Sequence, residues 1–104
     1  MSVVSVYAIF ASAEEAGRIG RQVIEDRLAA CINILAPVHS IYRWQGALET
    51  ADEVAAILKT TDHQVDALIT RIAALHSYAI PCIVSWPVDK LTVAYADWVE
   101  ANVG

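Results

Sequence analysis

The side chains able to do chemistry in this 104-residue chain are few and scattered. His76 leads as a metal ligand, because imidazole, with an ordinary pKa near ~6.5, is the commonest donor to transition metals. A histidine in the last turn of a helix is equally accounted for by the helix dipole and the terminal carbonyls it can reach. Cys82 offers a soft thiolate suited to copper(I), set against a plain packing role. Lys59, followed by Thr60 and Thr61 at a helix start, has the makings of an anion site, since free NH groups point out of such a terminus. The alternative is an ammonium that reaches solvent or a neighbouring acid. Cys31 reads as a small buried hydrophobe, and His39 and His63 as surface residues. Glu49, Asp52 and Glu53 are the densest acidic cluster but lack the defined loop of a calcium site. No Ser-His-Asp or Cys-His spacing suggests a nucleophile, so catalysis is not expected.

The elements that must position these residues follow from periodicity. Residues 3–10, VVSVYAIF, predict a strand apolar on both sides, hence central. Ser12-Ala-Glu-Glu15 is a capping box in which Glu15 reaches back to the cap, and it opens a helix with Ala16, Ile19, Gly20, Val23, Ile24 and Leu28 on one face. Gly20 suggests close packing of that helix on the sheet. Cys31 begins a second strand, bent at Pro37 and placed at a sheet edge, because proline cannot donate to a ladder. Gln45-Gly46 supplies a turn into a third strand ending at Thr61, with irregular pairing expected across the acidic stretch 49–53. Thr61 or Asp62 should cap a second helix over 63–76. Pro81 leads into a short strand, CIVSW, and 93–102 forms a terminal helix with Tyr95, Trp98 and Val99 on one side.

The order β-α-β-β-α-β plus a helix predicts an α+β, ferredoxin-like sandwich with strand order 4-1-3-2 over a single domain, 1–104. Cys31 and Cys82 then sit at opposite edges, beyond the ~7 Å Cα separation that a disulfide tolerates. Two free thiols and a reducing, cytoplasmic compartment are expected. Hairpin arms of about 13 residues give a ribbon on the order of 43 Å long, too long for a domain with a radius of gyration near ~13 Å to cover. The tip, with Tyr42 and Trp44, is therefore expected to bury against other copies of the chain.

Composition narrows the partners. The chain is 57% apolar and only 18% charged, with no apolar run near the ~18 residues of a membrane span and no basic leader at the start. Net charge is −5, and the seven basic residues are dispersed, which speaks against nucleic acid.

Several runs together resemble the CutA family of divalent-cation tolerance proteins: Leu28-Ala-Ala-Cys31-Ile-Asn, Ser40-Ile-Tyr42-Arg-Trp44-Gln-Gly46, Leu58-Lys59-Thr60-Thr61, His76-Ser-Tyr78-Ala-Ile-Pro81 and Tyr95-Ala-Asp-Trp98. The resemblance implies a tightly packed homotrimer built by the hairpin arms, an architecture similar to PII signalling proteins, and a role in tolerance to copper and other divalent cations without an established reaction. Members similar to the bacterial copper-binding type ligate metal through a cysteine at the end of the first strand and histidines at the end of the second helix. Here the first-strand position is Ala8, Leu75 precedes His76, and Cys82 follows Pro81 where a glutamate is usual. On this reading no cofactor is required, copper or another divalent cation is the weakly bound candidate, and Lys59 is the residue for a PII-like small ligand. An acylphosphatase-like enzyme is disfavoured, since the first turn, Ala11-Ser12-Ala13, has no arginine.

Overall fold

The computed structural model describes residues 2–104; Met1, the first residue of the expected 1–104 domain, lies outside them. Seven elements follow in order: β1 Val3–Phe10, α1 Ala13–Glu25, β2 Cys31–Trp44, β3 Ala47–Thr61, α2 Val65–Leu75, β4 Ile83–Pro87 and α3 Val93–Ala101. The four strands form one antiparallel sheet in the order β2-β3-β1-β4, the expected 4-1-3-2 arrangement.

Alternation along the strands divides the sheet into two unlike faces. On one, Val6, Ala8 and Phe10 of β1 and Val54, Ala56 and Leu58 of β3 meet Ala16, Ile19 and Val23 of α1 and Leu68 and Ile72 of α2. Fully burying a side chain such as Leu58 or Phe10 contributes about 1.5–3 kcal/mol each, so this layer carries most of the hydrophobic stabilisation. Gly20 is needed there: a Cβ on it would lie 2.7 Å from Cδ1 and 2.9 Å from Cγ2 of Ile32. Ser12 caps α1 as expected, its Oγ accepting from the Glu15 amide at 3.1 Å.

On the other face only α3 lies, across one end of the sheet, where Val99 packs with Val3 and Ala30. The rest is open. Val84 and Trp86 are nearly half exposed, and Tyr7 stands 6.2 Å from Trp86, centroid to centroid, without a layer above them. The accessible surface, 6147 Å², exceeds the about 5,700 Å² expected of a compact monomer of this mass.

The hairpin is longer than expected, with arms of 14 and 15 residues, and the molecule measures 45 × 26 × 22 Å. Gln45 and Gly46 both have positive φ, 50° and 82°, so the turn is of type I′, the type whose twist matches that of the flanking strands. Pairing does not break down over 49–53: Val38↔Glu53 through Trp44↔Ala47 are continuous, and the irregularity falls between Ile34 and Pro37. Exposed acids do not disturb a solvated two-stranded ribbon, whereas a proline without an NH does.

The start of α2 also differs from expectation. Thr61 remains in the sheet opposite Val3, and Asp62 accepts the Ser2 amide at 3.0 Å, so neither caps the helix; Gln64 precedes it without a side-chain cap. At its end His76 is extended, with φ −74° and ψ 145°, and therefore lies outside the last turn. The fourth strand begins at Ile83, leaving Cys82 just before it, although the Cys82 carbonyl accepts the Ile9 amide at 3.1 Å. Both cysteines are free thiols.

Candidate functional site

A cleft of about 600 Å³ opens where the hairpin leaves the body of the sheet, between the outer half of β2 and the loop that follows α2. Ser40, Tyr42 and Trp44 come to it from alternate positions of β2, Glu53 from β3, and Tyr78 and Cys82 from the loop. Each arrives there for a local reason. The bulge at Ile34/Pro37 sets which β2 residues face this side, and the Val38↔Glu53 pairing puts Glu53 on the same face.

Behind the cleft, buried polar groups fix the loop. The His76 ring is fully buried and stacks on Phe10 with centroids 5.3 Å apart. Its Nδ1 lies 3.0 Å from the Tyr78 amide and so accepts; the proton is therefore on Nε2, which donates to the Ile9 carbonyl at 2.7 Å. The favourable contact of this histidine is a carbonyl of β1 and not the terminal carbonyls of α2. Glu15 binds the same loop: its carboxylate accepts the Ala11 amide and the Ser77 amide, each at 3.2 Å, in place of the reciprocal bond to its own cap. Burial pushes the Glu15 carboxyl up, but hydrogen bonds from Ser77 and Ala11 and the nearby His76 outweigh it and hold the group below the ordinary range.

Tyr78 links this frame to the cleft. Its hydroxyl donates to Oε2 of the buried Glu53 at 2.7 Å, and its ring lies 4.8 Å from His76. Burial first, and then the hydrogen bond and charge of Glu53, push its phenol up to about 12, so Tyr78 stays a donor to Glu53 near neutral pH.

Of the residues singled out from sequence, Tyr42, Trp44 and Cys82 meet at this cleft, and His76 supports it from behind. Lys59 stands elsewhere, opposite Cys31 and Ser5 in the sheet. The hydroxyl of its neighbour Thr60 is spent on the Leu28 carbonyl at 2.7 Å, and Thr61 is buried, so the three do not assemble an anion site. Cys31 contacts the Tyr95 hydroxyl at 3.5 Å. The acidic cluster is split by alternation: Glu49 and Glu53 lie on one face of the ribbon, and Asp52 on the other pairs with His39 at 2.9 Å. Among the described residues no three His, Cys, Asp or Glu side chains converge as a metal site. With both ring nitrogens of His76 engaged and one thiol nearby, the donors of a single chain do not fit a resident metal ion.

Sequence reasoning passed over Glu15 and Tyr78 as site residues and weighed Glu53 only as part of the acidic cluster. The available signals were the third position of the capping box, the odd-numbered alternation on β3, and the tyrosine two residues after His76.

An α+β sandwich with one bare sheet face, an overlong hairpin and an aromatic cleft at the hairpin's root defines the class. Residues 4–102 match the family described as CutA1 divalent ion tolerance protein. The chain is 42% identical over 93 residues to the divalent-cation tolerance protein CutA of Thermus thermophilus, covering 89% of this chain and 90% of that protein. It is 37% identical over 98 residues to that of Archaeoglobus fulgidus, covering 94% and 95%. The crystal structure of CutA from Xylella fastidiosa superposes with a TM-score of 0.96 at 33% identity, covering all of both chains. This chain belongs to the CutA family.

Proposed function

We propose that this protein acts in divalent-cation tolerance as a non-catalytic homotrimer, binding a metal ion or small ligand weakly in clefts between subunits. The observation that carries the reading is the bare apolar side of the molecule. Val84 and Trp86 on the open face, and Tyr42 and Trp44 on the same side beside the cleft, are all at least two-fifths exposed. A patch of that extent on a small domain marks a protein interface. Edge strand β2 and the ribbon are the surfaces that neighbouring copies would cover, with Tyr42 and Trp44 inside the contact.

The relatives from Thermus thermophilus and Archaeoglobus fulgidus, both divalent-cation tolerance proteins by name, support the cellular role. Within the cleft Cys82 is the exposed soft donor, and any metal bound there would complete its shell with donors from another copy. His76 takes a supporting role, fixing the loop that carries Tyr78 and Cys82. Lys59 is the weaker candidate for a small anionic ligand, since its neighbours Thr60 and Thr61 are committed to the fold. Two free thiols and the lack of a helix long and apolar enough to cross a membrane among the described residues fit a reducing, cytoplasmic setting.

Light scattering and calorimetry test this together. A trimeric mass at micromolar concentration, with copper(I) or zinc heats that fall in Cys82→Ala, is expected. A monomeric mass overturns the assembly, and unchanged heats in Cys82→Ala overturn the metal role of that thiol.

A further inference from the structure

We infer that the cleft at the root of the hairpin is a binding site for an organic cation whose charge is carried on an apolar, ammonium-type head. The inference deepens the ligand-binding reading above and rests on it in taking the contact between copies, which includes Tyr42 and Trp44, to border the cleft and leave it open.

Chemistry selects the class of ligand. The cleft's volume of about 600 Å³ lies within the range of small-molecule sites. Three aromatic rings line it, Tyr42, Trp44 and Tyr78, and aromatic faces attract a cation through the ring quadrupole, Trp most strongly. Among the described residues, the one carboxylic side chain in the lining is that of Glu53, a residue only 8% exposed. Its Oε2 is taken by the Tyr78 hydroxyl, while Oε1 has no protein donor among the described residues. A carboxylate so buried is stabilised by an opposite charge brought beside it. Among the described residues no lysine or arginine of the chain lines the cleft, so the chain itself supplies no such charge and offers an anion no partner there. A bare divalent ion would ask for several oxygen ligands, and a single carboxylate among rings does not provide them. An ammonium head with an apolar body satisfies the rings and the carboxylate at once.

The frame behind the cleft holds this geometry in advance. His76 fixes the Tyr78 backbone at 3.0 Å and Glu15 fixes Ser77 at 3.2 Å, so the ring of Tyr78 and the carboxylate of Glu53 are set before any ligand arrives. Such preorganisation lowers the ordering cost of binding.

The test uses choline and its neutral isostere 3,3-dimethylbutan-1-ol, titrated calorimetrically into the full chain, with mass measured by light scattering in the same buffer. Choline is expected to bind at least about tenfold more tightly than the alcohol, a preference that Glu53→Gln removes and Trp44→Leu reduces. Gln preserves the shape of the buried side chain, and Trp44 is already 41% exposed, so neither change should unfold the domain. Equal binding of the two probes, or choline binding unchanged in Glu53→Gln, overturns the inference. No choline binding to a trimer also overturns it, the cleft then being filled by the neighbouring copy, and leaves the assembly reading standing. Glu53-dependent choline binding to a monomer would do the reverse.

Discussion

The two faces of this sheet have nearly the same backbone and opposite fates. The face under α1 and α2 is closed by side chains that are fully buried, Val6, Ala8, Phe10 and Leu58 among them. The opposite face, with Tyr7, Ile57, Val84 and Trp86, is apolar in composition yet covered by α3 only at one end. The first face holds the core of the domain; the second is the surface on which copies of the chain are proposed to meet. On that proposal stability and assembly rest on different residues, and substitutions should separate them.

The sharpest contrast is between Leu58→Ala and Trp86→Ala. The former should cost about 2–5 kcal/mol by cavity formation, read as a lower urea midpoint at unchanged assembled mass under native conditions. The latter should change the stability of an isolated subunit by under about 1 kcal/mol while lowering the assembled mass in light scattering. If Trp86→Ala leaves the mass untouched, the open face is not the interface. His76→Ala comes next, at about 2–4 kcal/mol, since it removes a ring stacked on Phe10 and strands the Ile9 carbonyl and the Tyr78 amide. Denaturant unfolding should show this loss.

Two glycines of the same helix give smaller effects of opposite sign. Gly20→Ala should destabilise by about 1–2 kcal/mol because the new methyl meets the stiff β-branched Ile32 under 3.0 Å. Gly17→Ala meets nothing within 4 Å and should stabilise by about 0.5–1 kcal/mol. Thermal midpoints moving in the same direction would refute the close approach of α1 to β2.

The gentlest probe is pH. Glu15 lies below its ordinary value of 4.5, so its contribution is complete above that value and is lost as pH falls through the lowered folded value. Stability of the parent should fall with acidification, and that of Glu15→Gln should fall less. Parallel profiles would show that the bonds from Ala11 and Ser77 do not hold the ionised form.

The architecture was legible because its signals are local. The run VVSVYAIF, the box at Ser12–Glu15 and the pair Gln45-Gly46 each specify an element, and element order with handed crossovers leaves few topologies. The cleft was legible only in part. Tyr42, Trp44 and Cys82 stand out by type, but their meeting depends on a bulge and on a loop held by a histidine and a glutamate far apart in sequence. His76 was misplaced by one residue, and that residue matters: past the end of α2 its ring turns to β1 and away from the helix carbonyls. The capping of α2 was misread because Thr61 still belongs to the ladder and Asp62 serves Ser2.

The bulge before Pro37 acts as a parity switch. Asn33 faces the open side opposite Ile57, and strict alternation from there would send His39, Ile41 and Arg43 to that side. The extra residue between Ile34 and Pro37 reverses the sense, so that Val38, Ser40, Tyr42 and Trp44 go there instead. The same residues in strict alternation, with no bulge, would thus present a basic and aliphatic surface along the whole arm in place of the aromatic one. The chemical character of the hairpin is set as much by this one irregularity as by composition.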